Sequence, residues 1–188
     1  MKINRTYIFK ALMLCATLCL TSCAVDSVVL KKGYDFTKIK RVAVLDFKDA
    51  SYCPSSGAMA SELFVKHLLK TGYNVIERNE LDALLKERQL SLSGLLDNSE
   101  QAKEFRKISG IDAIITGTVQ MMVPERNYYE NGNMRYIAAQ VGITCRMISI
   151  ETGEVLWAGS DTYDAMNTQT AFEYLISSMV RQLMRDLQ

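Results

Sequence analysis

The chain has 188 residues, 48% of them hydrophobic and 23% charged, with a formal net charge of +1. Its charges are interspersed, which excludes a basic nucleic-acid-binding stripe or an acidic tail as its organising feature. With two prolines (Pro54 and Pro124), no Gly/Ser-rich linker and no internal repeat, it reads as one domain with a real core.

The first segment has the three parts of a secretory signal. Lys2, Arg5 and Lys10 supply a positive start. Residues 11–20 then form an apolar run of roughly ten residues, about half of what a bilayer-spanning helix needs. Leu20-Thr21-Ser22-Cys23 closes the run and resembles the bacterial lipobox, in which the cysteine thiol receives the lipid. The expected organisation is a signal peptide over 1–22, a lipidated Cys23 with a short tether over 23–38, and a folded domain over 39–188. The alternative is an ordinary cleavage site beside an unrelated cysteine. Ala24 follows Cys23 in place of the aspartate associated with inner-membrane retention in enteric bacteria. That favours the outer membrane, with the domain facing the periplasm.

Cys15, Cys19 and Cys23 belong to this leader, so Cys53 and Cys145 remain for the mature domain. In an exported protein they could pair as a disulfide. Cys145 also lies in a strand pattern, which suits a buried free thiol. His67 is the single histidine, so no metal site is expected, and its place in a helix marks it as a structural residue.

In chain order, RVAVLDF at 41–47 reads as a buried strand. A loop rich in serine leads to a helix over 58–70 with Met59, Leu63 and Leu68 on its apolar face, stopped by Gly72. YNVIE at 73–77 is a second strand. Asn79 with Asp82 opens a helix whose apolar face is Leu81, Leu84 and Leu85. Asn98 with Gln101 marks the next helix, with Ala102, Phe105 and Ile108 inward and Gly110 at its end. Residues 111–119 form a third strand. Asn131-Gly132 is a strong hairpin turn, because both positions tolerate positive φ. From Arg135 to Ile150, the residues Ala139, Val141, Ile143, Cys145 and Met147 alternate onto one face. A turn at Glu151-Thr152-Gly153 precedes a strand over 154–159. From about Thr170 a closing helix sets Phe172, Leu175, Ile176, Met179, Leu183 and Leu187 against the core. Early β-α-β units, an antiparallel meander and a C-terminal helix define an α/β fold, a mixed sheet with covering helices.

Catalytic signatures are missing: no GxSxG elbow, phosphate-cradling glycine loop or HExxH occurs. Ser55-Ser56-Gly57 could offer an anion site at a helix start, or a plain cap. Glu77, Arg78, Glu87 and Arg88 could form an acid/base pair, but ion pairing is the ordinary use of such charges. The expectation is a protein without enzyme activity, cofactor, small-molecule substrate or nucleic-acid partner.

Four stretches in order carry a family resemblance: RVAVLDF, GYNVIERNELDALLKERQLSLSGLLD, GIDAIITGTV and ISIETGEVLWAG. With the lipobox they resemble the CsgG-like lipoproteins of curli secretion. The resemblance implies a periplasmic α/β domain without enzymatic activity, acting in curli-like assembly or transport, or another envelope assembly process, through protein contacts. The namesake is an oligomeric outer-membrane channel whose barrel comes from two long hairpins. Here the first slot, QMMVPERNYYENGNM at 120–134, is short and carries Pro124 and several charges, and the second, 161–168, is shorter still. A spanning strand takes about 9–11 residues, so a self-sufficient channel is disfavoured. LpoB-type activators of cell-wall synthases resemble the same fold, but that role needs a long arm and the tether here is short. Tyr128, Tyr129 and Tyr136, with Arg126 and Arg135, cluster about the Asn131 hairpin. That composition suits a contact surface for another copy or an envelope partner. Ordinary cross-strand pairing within the hairpin is the competing use.

Overall fold

The computed structural model describes residues 27–76, 78–87, 89–91 and 99–185. The leader, Cys23, Leu187 and the Asn98 helix start lie outside them. Six strands form one mixed sheet: β1 (Val28–Leu30), β2 (Arg41–Val44), β3 (Asn74–Ile76), β4 (Ala113–Val123), β7 (Ala139–Ser149) and β8 (Val155–Ala165). Their order is β1-β8-β7-β4-β2-β3. β2 runs parallel to β3 and β4, and the remaining pairs are antiparallel. The parallel joins require crossovers. Helix α1 (Ser56–Leu68) carries the chain from β2 to β3, and α2 (Arg78–Glu87) with α3 (Ser99–Ser109) carry it on to β4. Helix α4 (Thr168–Arg185) follows β8 directly. This is the mixed α/β architecture that the sequence pattern implies.

The sheet is buried on both faces near β2, which is why RVAVLDF is apolar without alternation. Val42 and Val44 point into the larger core with α1 and α4, and Ala43 into the smaller one with α2 and α3. β7 is covered mainly on the α4 side. Its alternate residues Ala139, Val141, Ile143, Cys145 and Met147 are all buried there. Phe172, Leu175, Ile176, Met179 and Leu183 of α4 meet them as expected. Full burial of each such side chain contributes roughly 1.5–3 kcal/mol before chain entropy is counted.

Several expectations change. Residues 28–38, expected as tether, contribute a strand and a 3-10 turn to the body: Val28 is buried opposite Gly159, and Tyr34 and Phe36 pack edge-on at 5.1 Å. A three-residue edge strand is too short to leave a periodic signal. In α1, Met59 is exposed, and the buried face is instead Ser56, Gly57, Ala60, Ser61, Phe64 and Leu68. Small residues are needed because the first turn touches backbone. A Cβ on Gly57 would lie 1.9 Å from the Phe47 carbonyl oxygen. Ile108 is exposed, while Ser109 takes the buried position with its hydroxyl donating to the Phe105 carbonyl at 2.8 Å. Asn79 lies inside α2, which already begins at Arg78. β4 and β8 both continue past their expected ends, to Val123 and Ala165.

Asp112 joins four elements at the start of β4. Its Oδ2 accepts the amides of Lys40 (2.9 Å) and Arg41 (3.0 Å), and its Oδ1 accepts Nε and Nη2 of Arg106. Arg106 also pairs with Glu151 in the β7–β8 turn. Burial pushes the Asp112 carboxyl up, but these donors outweigh it and hold the group below its ordinary value. A depressed folded-state value means stabilisation present above the ordinary carboxylate range and lost as pH falls through the folded value. Asp112→Asn should therefore lower the unfolding free energy by about 2–4 kcal/mol at neutral pH. It should also flatten the acid limb of a Tm-against-pH profile below about pH 4. An unchanged acid limb would contradict this role.

Candidate functional site

Between β4 and β7 the chain leaves the main sheet as a separate two-stranded hairpin, β5 (Arg126–Glu130) and β6 (Asn133–Ile137). Pro124 separates β4 from β5, where a proline has no amide to give to a ladder. Asn131 and Gly132 adopt φ of 51° and 76°, as their turn chemistry implies. The register pairs Arg126 with Ile137, Asn127 with Tyr136, Tyr128 with Arg135, Tyr129 with Met134 and Glu130 with Asn133.

Directly opposed residues share a face, and neighbours along a strand alternate. The five residues expected as one surface therefore divide in two. Arg126, Tyr128 and Arg135 lie on one face with Glu130, whose carboxylate forms an ion pair with Arg135 Nε at 3.4 Å. Tyr129 and Tyr136 lie on the other face with Met134. All five are exposed, Tyr129 at 76%, and so is Met134 at 64%.

Two contacts tie the hairpin to the start of α4. Glu125 Oε2 accepts the Thr168 amide (2.9 Å) and hydroxyl (2.7 Å), and these bonds, the hydroxyl's first, hold its carboxyl below the ordinary range. The Tyr136 hydroxyl donates to the Met166 carbonyl, which brings the 77% exposed Met166 beside the Tyr129 face. Tyr136 thus serves structure as well as surface. Met134, Met166 and the fastening role of Glu125 were not singled out from sequence. The alternation out of the Asn131-Gly132 turn could have placed Met134, but no local signal joins Glu125 to Thr168 across 43 residues.

The other candidates resolve into structure. The helix start at Ser55-Ser56-Gly57 is occupied by Asp49, whose carboxylate accepts the amides of Gly57 (2.7 Å) and Ser55 (3.1 Å). Those amides, Gly57 first, hold its pKa low. Arg78 pairs with Asp46 and Asp82, not with Glu87. Glu77 and Arg88 lie outside the described residues. His67 Nε2 stands 2.9 Å from Glu173, which Lys66 also contacts. Cys53 and Cys145 are both free thiols, and burial pushes the Cys145 thiol up. Among the described residues no group of three or more metal-ligating side chains occurs, and no helix is long and apolar enough to cross a membrane.

Comparison with known proteins adds a family and a fold. The family model described as curli production assembly/transport component CsgG matches residues 28–173. That match opens where β1 opens. A comparison with curated proteins finds no significant match. Among solved structures, a single-site variant of the PelC dodecamer from Paraburkholderia phytofirmans is 17% identical. The alignment covers 84% of this chain and 96% of that one, with a TM-score of 0.56. The PelC dodecamer in a second crystal form is 16% identical, with 86% and 96% coverage and a TM-score of 0.52. The lipoprotein GNA1162 from Neisseria meningitidis is 18% identical, with 78% and 99% coverage and a TM-score of 0.48. At these identities the likeness to PelC is one of fold.

The hairpin's surface side chains should be nearly free of stabilising work, and its fastening should not. Tyr129→Ser with Met134→Ser should change the unfolding free energy by less than about 1 kcal/mol. Glu125→Ala should speed amide exchange across 126–137 and at Thr168, through loss of the bonds from the Thr168 amide and hydroxyl. Equal exchange in the Glu125 variant would show that the hairpin is held by something else.

Proposed function

The chain belongs to the CsgG family, and from that premise we propose that it is a lipid-anchored, non-enzymatic protein of the bacterial cell envelope. It acts in assembly or transport through protein contacts, as the family's periplasmic body without its channel. The observation that carries this reading is the hairpin. It stands in the first of the two slots from which the family's namesake builds its barrel, yet its strands are five residues each. Such a strand rises about 17 Å, against the roughly 9–11 residues that a spanning strand takes. Its length and its Arg126, Glu130 and Arg135 suit a projecting surface better than a barrel wall. In the second slot β8 runs to Ala165 and α4 starts at Thr168, which leaves two residues between them.

Self-association is part of this reading. PelC, whose fold is similar, is a dodecamer in both crystal forms. The face carrying Arg126, Tyr128 and Arg135 has the aromatic and arginine composition enriched at protein contacts. An activator reaching across the periplasm fits less well. With β1 beginning at Val28, only residues 24–27 separate it from Cys23, a reach of roughly 14–18 Å at most.

Three measurements on the processed chain test the proposal. Cys23→Ser should abolish acylation and release the protein from the membrane fraction. Sedimentation of the acylated protein in detergent should show a species of several subunits, which Tyr128→Ser weakens at unchanged Tm. Planar bilayers should show no protein-dependent conductance. A reproducible channel would overturn the reading, as would a strictly monomeric protein that captures no envelope partner.

A further inference from the structure

The two hairpin faces differ in chemistry, and the anchor has a direction. Traced back from Leu30 to Val28, β1 passes from Trp157 to Gly159 of β8, and the Ser27 carbonyl then accepts the Ser160 amide at 2.9 Å. The chain thus enters the domain from the side of Ala165, the end of β8 that leads through Met166 to the hairpin contact with Tyr136. The Cα of Cys23 can stand no more than about 14 Å from that of Ser27, because four residues span no more. At that end of the domain stand Tyr129, Met134 and Met166, exposed at 76%, 64% and 77%, with Tyr136 among them.

We infer that this Tyr129–Met134–Tyr136–Met166 face rests in the interfacial zone of the bilayer that holds the lipid, so that the hairpin seats the domain on the membrane surface without crossing it. The inference rests on the lipid-anchor reading. Tyr129 suits that zone because its ring is apolar and its hydroxyl stays hydrated, while the Tyr136 hydroxyl keeps its bond to the Met166 carbonyl. Methionine adds flexible apolar area. The charged residues Arg126, Glu130 and Arg135 occupy the opposite face and stay in water, open to a protein partner. Charge does not draw this end to anionic lipid, since Glu125, Glu130, Asp161 and Asp164 accompany the two arginines. The seating is therefore a property of apolar contact, insensitive to salt.

Methionine oxidation reads this directly. Met59, at 38% exposure, is the internal reference, and exposure alone makes Met134 and Met166 react faster than it does. The acylated full chain in phosphatidylcholine vesicles is treated with dilute hydrogen peroxide, and each methionine is followed by mass spectrometry. Expected is an inverted order, with Met134 and Met166 at least about tenfold slower than Met59 and unchanged in 0.5 M salt. Tyr129→Asp should return Met134 to fast reaction. Fast reaction of both methionines in the acylated wild type overturns the inference and leaves the anchor standing. Protection that disappears as protein is diluted at constant lipid also overturns it, and assigns the face to a second copy. An unacylated Cys23 in the same spectra overturns the anchor reading, and the inference with it.

Discussion

At residue 117 the central strand β4 has no side chain, and the ring of Phe47 occupies the space. A Cβ at Gly117 would stand 2.4 Å from that ring and 2.4 Å from the Thr144 carbonyl oxygen. The loop after β2 is pressed against β4 there, with Lys48 N–H donating to the Gly117 carbonyl at 3.0 Å and Val119 N–H to the Lys48 carbonyl at 2.9 Å. Gly57 then lets the first turn of α1 sit on the Phe47 carbonyl. Phe47 meets Phe64 of α1 at 5.0 Å, and Phe64 meets Trp157 of β8 at 6.5 Å. Two glycines and one phenylalanine thus fix α1 against the strand that carries the hairpin. Side chains in either glycine position would force the loop off β4, at a cost of a few kcal/mol.

Three carboxylates hold elements together. Asp49 caps α1, Glu125 ties the hairpin base to Thr168 at the start of α4, and Asp112 binds the starts of β2 and β4 to α3. Each accepts backbone amides, which favours the ionised form and leaves a poor general acid near neutral pH. What results is a connected platform. β4 and β7 extend it toward the hairpin, α4 braces the hairpin base through Glu125 and Met166, and Tyr163 of β8 stacks on Tyr174 of α4 at 3.9 Å.

Much of this body was legible in the sequence because its long elements bury one face. β7 showed five of its buried positions by alternation, missing only Gly142 and Ser149, α4 showed its stripe, and Asn131-Gly132 marked the turn. What escaped was short or long-range. β1 has three residues and takes its stability from β8, more than a hundred positions away. The close packing of α1 reverses the usual signal, since its buried face begins with serine, glycine and alanine while Met59 stays outside. The hairpin residues were identifiable as a cluster, but their separation into a charged and an apolar face depends on register, which only the pairing fixes. Cys23 belongs wholly to the sequence argument.

The central claim is that the chain is a family body working by contact through its hairpin. Placing a photo-crosslinking amino acid at position 128 in living cells tests it most directly, with position 103 on the far-side helix α3 as control. The account predicts adducts from 128 to protein, either a second copy or another envelope component, and none from 103. Adducts from 103 with none from 128 would move the working surface elsewhere and contradict the account.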